Sequence, residues 1–134
     1  MNDTKLIKVK KLLAKKNFEE AIVFIESSFS NIEQTSEILN ILGFCKLRKK
    51  SSNNFDLLSA IENFRVSYLK EKNTNQGIES LLNFIASSNK ANHYNDSIKY
   101  FKETESTMGY IRKLFLAIVN VYKILNDVES VIYY

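Results

Sequence analysis

The scarcity of turn-forming residues most limits what this chain can fold into. Proline is absent from its 134 residues, and glycine occurs only at Gly43, Gly77 and Gly109. A domain of many short strands needs turn residues about every 8–12 positions, because each strand must reverse direction within a few residues. The composition, with 45% hydrophobic and 25% charged residues, is typical of a globular protein rather than a disordered one. The sequence therefore predicts one all-α domain.

Apolar residues recur at helical spacing in segments that polar turns separate. The clearest predicted helices cover residues 4–14, 18 to about 29, 36–48 and 55 to about 70. Side chains that can cap a helix stand near three predicted starts, at Asp3 or Thr4, at Ser36, and at Thr74 or Asn75. Turns are predicted at residues 16–17, 49–54, 72–75 and 89–93 and at Gly109.

Small residues are spaced at a nearly constant interval. Ala21, Ala60, Ser97 and Val131 are separated by 39, 37 and 34 residues. The matching position in each unit's first helix is held by Lys8, Leu42, Leu81 and Ile118. The two intervals longer than 34 residues correspond to longer polar turns within the units. Such turns cost little free energy, because the entropy of loop closure depends only weakly on loop length. The spacing predicts about four helix-pair units, the last incomplete, at residues 3–30, 35–71, 74–105 and 110–134.

The second unit carries the pattern most clearly. It reads Leu39-x2-Leu42-Gly43-x2-Lys46 and then Ala60-x3-Phe64-x2-Ser67-Tyr68. This resembles the tetratricopeptide repeat (TPR), whose two helices carry aromatic-x2-Leu-Gly-x2-Tyr and Ala-x3-Phe-x2-Ala. The resemblance covers essentially the whole chain and implies a right-handed superhelical solenoid of antiparallel helix hairpins. The chain departs from the family pattern, because the Trp and the inter-repeat Pro are missing and Lys5 and Lys8 replace large apolar residues of the first unit. A related two-helix solenoid therefore stays an alternative.

The resemblance also implies a function and a site. In the family, the first helices line a concave groove that holds an extended peptide or a partner's helix, so the chain would be a non-catalytic protein–protein interaction scaffold. Asn83 and Asn120 occupy equivalent places and could bind a peptide backbone, because an amide both donates and accepts hydrogen bonds. Phe44 would be an anchor if exposed, and a core residue otherwise. Carried over by position, the groove residues are Glu37, Asn40, Phe44, Arg48, Gln76, Glu79, Asn83, Ser87, Lys113, Asn120 and Lys123.

No residue pattern points to catalysis. His93 is the only histidine and falls in a polar turn, and no cluster has the spacing of metal ligands or of a phosphate-binding loop. The single cysteine, Cys45, lies in an apolar helical segment, which indicates a buried thiol in a reducing compartment. The start of the chain lacks the apolar region of a signal peptide, and the longest apolar run, Leu114–Val119, is too short to cross a bilayer. The sequence therefore predicts a cytoplasmic protein that is not an enzyme, with no cofactor, no metal and no membrane partner.

The net charge of +4 includes a cluster of lysines between Lys5 and Lys16. These lysines alternate with apolar residues in helical phase, as on the solvated face of an amphipathic helix. A nucleic-acid site would be expected to add arginines, stacking aromatic residues or a recognisable module. Nucleic acid is therefore a disfavoured partner, and a protein or peptide is favoured.

The end of the chain raises two alternatives. The second helix of the fourth unit is predicted to start near Asp127 and to stop at Tyr134, although a solenoid usually ends with a polar-faced element. The chain could therefore be the N-terminal part of a longer bacterial TPR protein, as the substrate-presenting arm of a larger enzyme such as a glycosyltransferase or sulfotransferase. Self-association could instead cover the apolar residues Val131, Ile132, Tyr133 and Tyr134.

Overall fold

A computed structural model describes residues 2–129 of the chain, and the side chains of residues 4–126 within them. Seven α-helices and no strand occur in this part of the chain, which confirms the predicted all-α class. The helices are α1 Asn2–Ala14, α2 Phe18–Ser28, α3 Ser36–Arg48, α4 Asn54–Lys70, α5 Asn75–Lys90, α6 Asn95–Met108 and α7 Arg112–Glu129.

Side-chain hydrogen bonds cap the starts of α3, α4 and α5, and two predicted caps need correction. The Thr74 hydroxyl accepts a hydrogen bond from the Gly77 N–H at 3.0 Å and caps α5, as predicted. Thr35 rather than Ser36 caps α3, because its extended backbone aims the hydroxyl at the N–H of the third helical residue. Helix α1 already includes Asn2, so the prediction that Asp3 or Thr4 caps it is wrong.

Left-handed residues mark the turns between helices. Lys16, Asn73 and Asn92 have φ angles of 59°, 63° and 60°, a conformation that a right-handed helix cannot continue through. Gly109 has a φ of 79° between α6 and α7, where the absence of a Cβ removes the steric cost. All four turns lie where the polar segments of the sequence predict them.

Each helix packs against its neighbour in sequence, and two further contacts bring alternate helices together. Helix α3 packs on α4, α4 packs on α5, and α5 also contacts both α3 and α7. The α3–α4 approach depends on Gly43, because a Cβ at this position would lie 2.6 Å from the Phe64 ring. A small residue is therefore required where these helices touch, as the repeat pattern predicts.

The core positions agree with the spacing of small residues. Ala21, Ala60 and Ser97 are each 0% exposed, whereas the fourth position, Val131, lies outside the described residues. The matching first-helix positions are buried in α3, α5 and α7. Lys8 of α1 is exposed, and its neighbour Val9 fills the core instead. A charged ammonium group is too costly to bury without a partner, so α1 turns its adjacent apolar residue inward.

Three buried serines join the helices at the centre of the chain. The hydroxyl of Ser67 on α4 donates to the Ser36 carbonyl of α3 at 2.7 Å. It also lies 2.6 Å from the Ser80 hydroxyl of α5. These hydrogen bonds allow small polar residues to replace apolar ones at the helix contacts, because their polar groups are satisfied inside the protein.

Helix α7 differs from the prediction. It continues without interruption from Arg112 to Glu129, so the prediction that a separate helix begins near Asp127 is wrong. No glycine, proline or left-handed residue occurs between Arg112 and Glu129, and residues such as Lys123 and Leu125 favour the helical backbone. The apolar positions 131–134, predicted to mediate self-association, lie outside the described residues.

Candidate functional site

The predicted groove residues of α3 and α5 lie on helices that contact each other. The Asn83 amide nitrogen donates to the Asn40 amide oxygen at 3.0 Å, and this hydrogen bond joins residues 43 positions apart in sequence. Lys113 of α7 lies 3.3 Å from Glu79 of α5, which extends the same surface to α7. We call the surface carrying these residues of α3, α5 and α7 the odd-helix face.

Two ion pairs tie the helices of this face to one another. Glu79 pairs with Lys113, and on the other side Glu37 of α3 lies 4.0 Å from Lys10 of α1. Both pairs are solvent-exposed, so each contributes at most about 1 kcal/mol to stability. They show that the Lys10 side chain of α1 reaches α3 and that the Lys113 side chain of α7 reaches α5.

Phe44 is 40% exposed, so it is not a fully buried core residue. Its ring packs edge-to-face against Phe18 of α2, with centroids 5.8 Å apart. The Arg48 guanidinium carbon lies 5.0 Å from the Phe44 ring centroid, within the range of a cation–π interaction. The aromatic ring is thus held by two neighbours while part of it remains open to solvent.

A cavity of about 520 Å³ opens beside Phe44, between α3 and α5. We call it the α3/α5 pocket. Apolar side chains form one part of its lining, and the Arg48, Lys90 and Asn83 side chains supply charge and hydrogen-bonding groups. Its lining residues are Phe44, Leu47, Arg48, Phe64, Asn83, Ala86, Ser87 and Lys90.

The predicted groove residues do not form one continuous site. Phe44, Arg48, Asn83 and Ser87 line the α3/α5 pocket. Glu37 and Gln76 instead line a separate cavity of about 670 Å³ near the start of α3 and α5. The three predicted residues of α7, Lys113, Asn120 and Lys123, are exposed but line neither cavity.

One predicted role needs correction. Ser87 is 1% exposed, and its hydroxyl donates to the Asn83 carbonyl at 2.8 Å, so it is a core residue rather than a peptide contact. One N–H of the Asn83 side chain donates to Asn40, which leaves its second N–H and its oxygen, so the predicted donor-and-acceptor contact with a peptide backbone stays a prediction. Asn120 is exposed on α7.

Sequence reasoning missed Phe18 and Lys90. Phe18 was recognised only as the start of a second helix, yet its ring supports Phe44. Lys90 lies one helical turn beyond Ser87, which the sequence placed on the same face of α5. Following the i, i+3 spacing past Ser87 would have identified it.

The single cysteine and the single histidine lie on different elements, Cys45 on α3 and His93 between α5 and α6. Burial raises the pKa of the Cys45 thiol to about 11, so the nucleophilic thiolate is scarce at neutral pH. His93 is exposed in the α5–α6 turn, as predicted. Within residues 4–126, no group of three or more His, Cys, Asp and Glu side chains is arranged to hold a metal ion.

Comparisons with protein-family models, with curated proteins and with solved structures gave no match. Among the described helices, none is both long and apolar enough to cross a membrane.

Proposed function

We propose that this chain is a non-catalytic protein–protein interaction scaffold. In this proposal the helices form a TPR-like solenoid, and the odd-helix face holds a peptide segment or a partner helix. Two observations support the solenoid: consecutive helices pack on each other, and α5 contacts both α3 and α7. Side-by-side alternate helices are the arrangement that stacking of helix pairs produces.

The observation that carries the binding proposal is the exposure of Phe44 at the α3/α5 pocket. Energetically dominant interface residues are enriched in aromatic and arginine side chains that stand beside a pocket and become fully desolvated on binding. Phe44 and Arg48 supply both side-chain types in contact with each other. Leu47 and Phe64 add apolar lining to the same pocket, against which a partner side chain can be buried.

The test is a selection of binding peptides from a displayed random-peptide library. A selected peptide is synthesised with a fluorescent label, and its affinity for the protein is measured by fluorescence anisotropy. The Phe44→Ala variant is expected to bind roughly 30-fold more weakly, since removing a central aromatic contact costs about 2 kcal/mol or more.

Phe55→Ala is the matched control. Phe55 is also an exposed phenylalanine on a helix, but it does not line the α3/α5 pocket. Both variants should keep the far-ultraviolet circular dichroism of the wild type. Equal affinities of Phe44→Ala and wild type for every selected peptide would contradict the placement of the binding site at this pocket.

A further inference from the structure

We infer that the bound segment is acidic, with a carboxylate side chain next to a large apolar residue. The carboxylate lies between Arg48 and Lys90, and the apolar residue packs on Phe44. This inference rests on the proposed function, because it assigns a partner chemistry to the same pocket.

The charge of the α3/α5 pocket is one-sided. Arg48 and Lys90 line it, and no acidic residue does. Neither cation forms an ion pair with a carboxylate of the described residues. By contrast, Lys46, Lys49 and Lys113 each lie within 4.0 Å of a carboxylate. Two cations without a counterion in the same cavity create a positive potential that an incoming carboxylate can neutralise.

Arg48 has the geometry to bind a carboxylate and to place it beside Phe44. Its guanidinium group lies over the Phe44 ring, 5.0 Å from the centroid, which restrains the side chain near the pocket. A guanidinium group donates to a carboxylate through two parallel hydrogen bonds. A carboxylate held by Arg48 is therefore within one or two peptide residues of a side chain packed on the open part of Phe44.

An adjoining cavity is lined by charges of both signs. This cavity, of about 510 Å³, shares Arg48 with the α3/α5 pocket and is also lined by Phe18, Lys16, Lys49 and Lys50. It contains the carboxylates Glu19 and Glu20, which do not line the α3/α5 pocket. The cations of this cavity thus have carboxylates beside them, whereas those of the α3/α5 pocket do not, so we place the partner's carboxylate at Arg48 and Lys90.

The same features favour an acidic polypeptide over single-stranded nucleic acid. Sequence-tolerant binding of nucleic acid uses open aromatic faces on which bases stack. The α3/α5 pocket offers one partly exposed ring, Phe44, with Arg48 over it and Phe18 at its edge, which suits a single apolar side chain better than a run of stacked bases. Glu19 and Glu20 also interrupt the basic lining of the adjoining cavity, whereas binding of single-stranded nucleic acid uses a positively charged groove along the backbone.

The experiment compares peptide selection on the wild type with selection on the Arg48→Glu/Lys90→Glu double variant. Peptides selected on the wild type are expected to carry Asp or Glu within two positions of Phe, Tyr, Leu or Ile. A synthetic peptide of this kind should bind the double variant at least tenfold more weakly. The double variant should itself select peptides with Lys or Arg in place of the acidic residue.

The control is Lys11→Glu/Lys102→Glu, which makes the same change in net charge at two exposed lysines outside the pocket. This variant should bind the acidic peptide within twofold of the wild type. Equal weakening by both double variants would overturn the inference, because net charge alone would then explain the binding. Circular dichroism and thermal melting of all variants identify any that fail to fold.

Three further outcomes separate the inference from the proposed function. Selected peptides without carboxylates, whose binding is nevertheless lost in Phe44→Ala, would overturn the acidic segment and leave the scaffold standing. If no peptide is selected at all, the scaffold proposal itself fails. Binding of a labelled oligo-uridine that is lost in Arg48→Glu/Lys90→Glu, in the absence of acidic-peptide binding, would overturn the inference in favour of nucleic acid.

Discussion

Gly43 shows how a single residue sets the distance between two helices. Its backbone on α3 is so close to the Phe64 ring of α4 that an added Cβ would lie 2.6 Å from one ring carbon. Replacing a helix-interior glycine with alanine normally gains roughly 0.5–1 kcal/mol. Forcing extra volume into a packed contact costs about 1–3 kcal/mol, so the steric cost decides the outcome here.

We therefore expect Gly43→Ala to lower the free energy of unfolding, by about 1–2 kcal/mol. Urea unfolding followed by circular dichroism measures the change. Phe64→Leu should relieve part of the clash, so the double variant should be less destabilised than the sum of the two single variants. Additive effects would contradict the contact as the source of the cost.

Helix α4 is secured at its start by a reciprocal pair of hydrogen bonds. The Asn53 side chain accepts from the Asp56 N–H at 3.0 Å, and the Asp56 carboxylate accepts from the Asn53 N–H at 3.0 Å. Lys49 lies 3.1 Å from the same carboxylate. Burial by itself raises the pKa of Asp56, but the Asn53 hydrogen bond and Lys49 together lower that pKa below its ordinary value of 3.8.

This lowered pKa predicts a specific pH dependence. Because the folded state binds the Asp56 proton less tightly than the unfolded state, the carboxylate stabilises the fold fully above its unfolded pKa. The contribution is lost as pH falls through that value and then through the lower folded pKa. Asp56→Asn should therefore be less stable than wild type at pH 7, with the difference shrinking below about pH 4.

Urea unfolding of both proteins across this pH range provides the measurement. The comparison isolates Asp56, because the other carboxylates, including Glu33 and Glu62 with their own lowered pKa values, are common to both proteins. A stability difference that stays constant from pH 7 to pH 3 would contradict the assigned role of the ionised carboxylate.

Across the seven helices, the buried apolar side chains of residues 4–126 form two clusters. The smaller cluster joins the first helices of the chain and contains Val9, Ile25, Phe29, Ile38 and Leu42. The larger one runs from Ala60 of α4 to Val121 of α7. If the helices form a solenoid, as proposed, each pair depends mainly on its neighbours, and local damage should stay local.

Ile25→Ala tests this prediction. Ile25 is fully buried in the smaller cluster, and removing its methyl and methylene groups should cost about 2–5 kcal/mol. Amide hydrogen exchange should accelerate in α1 and α2 much more than in α4, α5 and α6. Leu81→Ala, in the larger cluster, is the matched control and should affect the central helices instead. A uniform acceleration by Ile25→Ala would indicate one cooperative unit.

The positions of the helices and of most turns can be predicted from the sequence alone. Helical hydrogen bonds join residues four positions apart, so apolar periodicity and the near absence of glycine and proline are sufficient to identify them. The repeated small residues Ala21, Ala60 and Ser97 were likewise recognisable, because each marks a close helix contact. Phe44 and Arg48 are among the groove positions that the TPR resemblance implies.

The exposure, the hydrogen-bond partners and the pocket contacts of these residues follow only from the tertiary structure. The amide of Asn83 binds Asn40, Ser87 is buried, and Lys90 joins Arg48 at the α3/α5 pocket. The continuity of α7 past Asp127 was also missed, since a polar segment within a long helix resembles a turn in sequence. Exposure, hydrogen-bond pairing and pocket formation depend on side chains more than 30 positions apart in sequence. Local sequence patterns do not indicate which of these distant residues come into contact.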